Sequence, residues 1–161
     1  MTEPQAVDPD RHTTIAPILH RPELLALATR YALAADHCDA DAFADVFEPD
    51  GVLRLADQFG SGPASVRGHA ELATVPRALE RYVKTLHILG TAGYSPGDDT
   101  ATGEVYCVAH HLKDVGGALS DHVMYIRYTD AYRRDMTGMW RIVERVVHVD
   151  WSERKPVEPR R

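Results

Sequence analysis

Two residues, Asp36 and His87, could do proton chemistry together. The acid ends the segment Tyr31-Ala-Leu-Ala-Ala-Asp36-His-Cys-Asp, and the histidine sits in Lys84-Thr-Leu-His87-Ile-Leu-Gly. An imidazole takes and returns a proton near neutral pH. A carboxylate on its other nitrogen fixes the tautomer and steadies the charged form. If the two meet, the domain is expected to be a lyase or isomerase. Read singly, Asp36 is a helix-end acid in a surface turn, and His87 is a core histidine bonded to a backbone carbonyl.

Other residues could complete such a site. Tyr31 lies five residues before Asp36, about 140° away around a helix, so both could border a pocket at the helix's open end. As a structural residue it is core, with its hydroxyl on some polar partner. Strand parity puts Tyr106, Val108 and His110 on one face and Cys107, Ala109 and His111 on the other. One of the adjacent histidines must face inward, and we read His110 as that one, alongside Tyr106. The bland reading of either is a solvent-facing strand residue. Leu55, Phe59 and Met124 are expected to line the pocket beside them.

These residues need elements to hold them. Leu24, Leu27, Ala28, Tyr31 and Ala35 recur at spacings of three and four, which predicts a helix opening at Pro22 with Asp36 at the edge of its apolar stripe. A helix C-terminus does nothing to stabilise a carboxylate, so Asp36 is costly there without a partner. Asp39 or Asp41 can cap a second short helix through Phe43 and Phe47, and Glu48-Pro-Asp-Gly51 makes a turn. Val52–Leu55 reads as a strand and Gly60-Ser-Gly-Pro63 as a loop. A helical stretch over His69–Tyr82 is broken or kinked at Pro76. From His87 onward the pattern is four strands, with turns at Ser95–Asp99, Gly116-Gly117 and Asp135–Gly138. Helices first and a meander afterwards predict an α+β fold whose curved, mainly antiparallel sheet wraps on the N-terminal helices. Residues 1–20 read as a flexible arm, 21–151 as the domain and 152–161 as a flexible tail.

Composition narrows the function. With 161 residues, 44% apolar and 26% charged, one domain can bury a core without staples. A net charge of −6 argues against nucleic acid or an anionic membrane as partner. Neither a membrane span nor a secretory signal is visible, and the two cysteines, Cys38 and Cys107, read as reduced thiols, so a cytoplasmic location is expected. Despite nine histidines there is no His-x-His or Glu-x-x-His cluster, so no metal is expected. No Gly-x-Ser-x-Gly elbow, phosphate loop or Rossmann fingerprint occurs, and no organic cofactor is expected either.

The ordered segments, taken together, resemble the nuclear transport factor 2-like superfamily, and within it the SnoaL-like group that includes scytalone dehydratase, bile acid 7α-dehydratase and hexachlorocyclohexane dehydrochlorinase. The resemblance covers roughly residues 20–151 and rests on six segments of this chain. The first three are Tyr31-Ala-Leu-Ala-Ala-Asp36, Asp45-Val-Phe-Glu-Pro-Asp50-Gly and Thr85-Leu-His87. The others are Gly103–His110, Tyr128–Arg134 and Trp140–Arg145, the last running on to Asp150-Trp151. It implies a cone-shaped α+β barrel with a deep apolar pocket holding an Asp–His dyad at Asp36 and His87. It also implies a pocket tyrosine at Tyr31, a second histidine at His110 and an assisting arginine at Arg145.

The expected function is therefore a cofactor-independent dehydratase, or a related isomerase, acting on a small hydrophobic hydroxylated carbonyl compound of steroid, terpenoid or polyketide type. The alternative is a non-catalytic module of the same fold that carries apolar ligands or assembles with another protein. Epoxide opening by an Asp–Arg–Asp set is disfavoured, because Arg127 and Asp130 fall on opposite strand faces. A broad exposed sheet face implies a homodimer or homotrimer.

Overall fold

The apolar stripe of the first helix decides the architecture. Leu24, Leu27, Ala28, Tyr31 and Ala35 are all buried, while Leu25 and Leu33 on the other side are exposed. The computed structural model describes residues 16–56 and 64–158. The helix, α1 (Ala16–Asp36), begins before Pro22 and holds that proline within its sequence. Residues 16–20 of the expected arm are helical, and residues 1–15 lie outside the described residues. The helix closes in a Schellman motif, with the Asp39 N–H donating to the Ala34 carbonyl and the Cys38 N–H to that of Ala35. Cys38 takes the left-handed conformation at φ 54°, a position usually given to glycine. The resulting turn lets the Asp39 carboxylate cap α2 (Ala40–Asp45), accepting from the Ala42 N–H at 3.0 Å.

The chain continues through β1 (Phe47–Leu55), β2 (Ala64–Arg67), α3 (Gly68–Leu72), α4 (Thr74–Arg77) and a 3₁₀ turn over Ala78–Arg81. The helical stretch expected over 69–82, broken or kinked at Pro76, is three short pieces, and Pro76 lies within α4. Then come β3 (Lys84–Pro96), β4 (Thr100–Val115), β5 (Ala118–Arg134) and β6 (Trp140–Val157). The strand order is β2-β1-β6-β5-β4-β3, with β1 parallel to β6 and the other neighbours antiparallel. This is the expected α+β fold, an open, curled sheet packed on the N-terminal helices. Gly116 and Gly117, at φ 64° and 88°, form the two-residue turn between β4 and β5. The expected tail is strand instead: β6 runs on to Val157, paired with β5 as far as Leu119.

The interior contains a buried ion pair. Arg145 is fully buried on β6 and holds Asp130 of β5 through Nε at 2.8 Å and Nη2 at 2.7 Å. Its guanidinium lies between the rings of Tyr31 and Tyr128, 4.1 and 4.3 Å from their centroids. The Tyr132 hydroxyl donates to the same carboxylate at 2.5 Å. Phe43 and Phe47 also pack against Tyr31, with ring centroids 4.7 and 6.1 Å away.

Candidate active site

Asp36 and His87 are in contact. One carboxylate oxygen lies 2.7 Å from His87 Nδ1, and the other accepts the His87 backbone N–H at 2.8 Å. The two side chains are only 9% and 8% exposed. The Schellman turn fixes the end of α1, and β3 brings His87 onto the sheet's inner face. Burial works to raise the Asp36 pKa, but the hydrogen bonds from the His87 ring and backbone, with the ring's charge, outweigh it and hold the carboxyl below its ordinary value. Among the described residues nothing bonds to His87 Nε2, so the ring keeps one nitrogen for a ligand.

The β4 histidine that faces His87 is His111, not His110. On β4 the buried positions are Ala101, Val105, Cys107, Ala109 and His111. The ring of His111 stands edge-on to that of His87, with centroids 5.8 Å apart. Tyr82 packs on it at 4.9 Å and His122 of β5 lies at 6.4 Å. Its Nδ1 is buried and has no hydrogen-bond partner among the described residues. Burial, followed by repulsion from His87 and His122, pulls its pKa down to about 4. His111 is therefore a neutral imidazole at physiological pH, a form that donates one hydrogen bond and accepts another.

The remaining expected residues fall in three places. His110 and Tyr106 share a face, as parity required, but it is the outer one. There His110 Nδ1 pairs with Asp121 at 2.7 Å, and Tyr106 stands half exposed beside Ile88, Val108, Tyr125 and Trp151. Arg145 and Tyr31 lie in the core: the arginine is held through Nε and Nη2 by Asp130 and lies against two aromatic faces, its buried Nη1 has no hydrogen-bond partner among the described residues, and burial lifts the Tyr31 hydroxyl to about 12. Met124 does face inward, on the row Ala109–Met124, and packs partly buried against the core. Leu55 shares the face of Leu53 but is half exposed at the end of its strand. Phe59 lies outside the described residues.

A cleft of about 240 Å³ opens onto His111 and His122. It is lined by Tyr82, His111, Lys113, Val115, Ser120, His122 and Arg154, and is thus more polar than the deep apolar pocket expected. Sequence reasoning missed Tyr82, His122, Lys113 and Arg154, and read His110 where the structure places His111. The signal for His111 was present in the alternation Val105-x-Cys107-x-Ala109, which opposes the charged Glu104 and the large Tyr106. Among the described residues no three His, Cys, Asp or Glu side chains converge closely enough to hold a metal ion.

Residues 16–146 match the SnoaL-like domain family. The chain belongs to that family. No curated protein matches the sequence. Among solved structures, this SnoaL-like domain is similar to an NTF2-like protein with a cystatin-like fold from Novosphingobium aromaticivorans, at 25% identity and TM-score 0.71, covering 91% of this chain and 92% of that one. A protein of unknown function from Mycobacterium tuberculosis, solved with one aspartate replaced by asparagine, shares 25% identity at TM-score 0.69, covering 83% of this chain and 77% of that one. A hexachlorocyclohexane dehydrochlorinase from Novosphingobium barchaimii shares the fold at 16% identity and TM-score 0.66, covering 94% of each chain. No helix among the described residues is long and apolar enough to cross a membrane.

Proposed function

We propose that this SnoaL-like domain is a cofactor-independent lyase, a dehydratase or closely related isomerase, acting on a hydroxylated carbonyl compound. The observation that carries the reading is the double hold of Asp36 on His87, which leaves Nε2 as the free nitrogen beside a second, neutral imidazole. His87 Nε2 removes the proton from the carbon next to the carbonyl. Asp36, on Nδ1, orients the ring and stabilises the imidazolium. His111 donates a hydrogen bond to the carbonyl oxygen as it gains enolate charge, the role first expected of His110. The electron pair of the broken C–H bond then forms the double bond as the β-hydroxyl departs. That oxygen takes the proton from His87, and water and the unsaturated carbonyl compound are released. An isomerase would return the same proton to a different carbon. The structural neighbour named as a dehydrochlorinase fits an elimination on this scaffold.

The test is a screen of β-hydroxy-ketone substrates by mass loss of water, followed by Asp36→Asn and His87→Ala on any compound turned over. We expect a loss of about 10²–10⁴-fold in each. Near-full rates in both, with folding intact, would place the chemistry elsewhere and favour the carrier or assembly reading.

Self-association through the outer sheet face belongs to the same proposal. Leu86, Ile88, Tyr106 and Trp151 are each about half exposed there, around a shallow cleft between β3, β4, β5 and β6. Such an exposed apolar area is suited to a second copy of the same face, as a homodimer or homotrimer.

A further inference from the structure

The cleft that reaches the histidines has a cationic rim. Lys113 of β4 and Arg154 of β6 both line it, and neither forms an ion pair with any acid among the described residues. The acids nearest in register point away: Asp121 binds His110 on the outer face, and Glu153 reaches the Tyr125 hydroxyl there. His122 stands across the ladder from both His111 and Arg154. Burial lowers its pKa first and the Arg154 charge lowers it further, against the opposing pull of Asp121. Deeper in, His111 presents a buried Nδ1 with no partner.

We propose that the substrate carries an anionic group, a carboxylate or a phosphate, bound at this rim by Lys113 and Arg154 while its reacting carbon lies at His87. The proposal deepens the lyase reading and rests on it for the placement of the reacting end. A cation pair without counter-charge on a net acidic chain is the arrangement that attracts an anion into a narrow opening. Arginine gives the planar fork that matches carboxylate or phosphate oxygens, and lysine adds a point charge. Sheet spacings set the scale. Lys113 lies one strand across and four residues along from His87, and Arg154 three strands across and two along, roughly 14–16 Å between Cα positions. Long side chains reach back over part of that span. The anion and the reacting carbon are then roughly 8–10 Å apart, as in an acid built on two or three fused rings.

The probes are 2-naphthoate, 2-naphthyl phosphate and the neutral 2-naphthamide, titrated into the full chain by calorimetry and by NMR of the histidine rings. At least one anion should bind tenfold or more tighter than the amide and shift the His122 and His111 signals. Raising the salt should weaken it, and the double variant Lys113→Gln/Arg154→Gln should remove most of the preference. Which anion binds better separates a carboxylate ligand from a phosphorylated one. Anions that bind no better than the amide, including the case where nothing binds, would overturn the assignment. So would an anion preference unchanged in the double variant. Because the readout is binding, it stands apart from the Asp36 and His87 activity test: an anion site can survive inactive chemistry, and turnover can survive a failed anion site.

Discussion

His87 gives both its backbone N–H and its ring Nδ1 to the two oxygens of one carboxylate, that of Asp36, at 2.8 and 2.7 Å. The strand backbone and the imidazole are thereby tied to the end of α1 by a single side chain. Asparagine at position 36 cannot reproduce this. It offers one oxygen and one amide nitrogen, so a donor must face either the backbone N–H or the ring. If the ring yields, its proton moves to Nε2 and the free base is lost. Long-range nitrogen–proton NMR on the histidine rings should show the Nδ1–H form in the native chain and a changed tautomer in Asp36→Asn. An identical ring spectrum in the variant would contradict this account.

Acid should weaken the fold in two stages. The folded pKa of His111 is about 4 against an ordinary 6.5, so the unfolded chain binds the extra proton first and stability falls as pH drops through that window. The loss should be on the order of 2 kcal/mol, allowing for solvent at the cleft mouth. Asp36 acts lower: its stabilising contribution is present above the unfolded value of 3.8 and is lost as pH falls through the depressed folded value. Urea unfolding at a series of pH values checks this. His111→Gln should flatten the limb between pH 6.5 and 4 and leave the lower one.

The outer face predicts an oligomer. Trp151 stacks on Tyr125 with ring centroids 4.5 Å apart and is still more than half exposed. Trp151→Glu places a charge in the centre of the apolar patch without touching the inner face. Light scattering should show the native chain as a dimer or trimer and the variant shifted to monomer. A native chain that is monomeric at high concentration would remove the proposed interface.

The α+β order, the stripe of α1, the Asp39 cap and the Gly116-Gly117 turn were all legible in the sequence, because each depends on local periodicity or turn chemistry. The meeting of Asp36 and His87 was readable only through the family resemblance, since 51 residues separate the partners. His110 was chosen over His111 because parity gives two faces but does not say which one the helices cover. The fate of Arg145 was hidden for a related reason. An arginine that pairs in the core and one that meets a ligand look alike in sequence, and only the register placing it opposite Asp130 separates them. The cationic rim was invisible because Lys113 and Arg154 come from strands far apart in the chain, and Arg154 lay in a segment read as tail.

Gly103 tests the aromatic layer at the far end of the sheet. A Cβ added there would stand 2.7 Å from the Tyr94 ring and 3.0 Å from that of Tyr132, which supports Asp130. Gly103→Ala should therefore destabilise the fold by about 1–3 kcal/mol through overpacking, in spite of alanine's better strand entropy. Chemical denaturation measures it, and the Asp36–His87 NMR signals should be unchanged because that pair lies well away along β3.

Arg145 separates a structural arginine from a ligand-binding one. Its side chain and that of Asp130 are fully buried, so removing one partner leaves the other charged and dry. Arg145→Met should cost about 3–5 kcal/mol of stability or prevent folding. Replacing both, as Arg145→Met/Asp130→Leu, removes the stranded charge and should recover a large part of that loss, although Tyr132 then loses its acceptor. The comparison is made by urea unfolding of the three chains. If the single variant were as stable as the native chain and differed only in anion binding, Arg145 would belong to the ligand site after all. Rescue by the double variant, with the naphthoate affinity of the cleft unchanged, places it in the core.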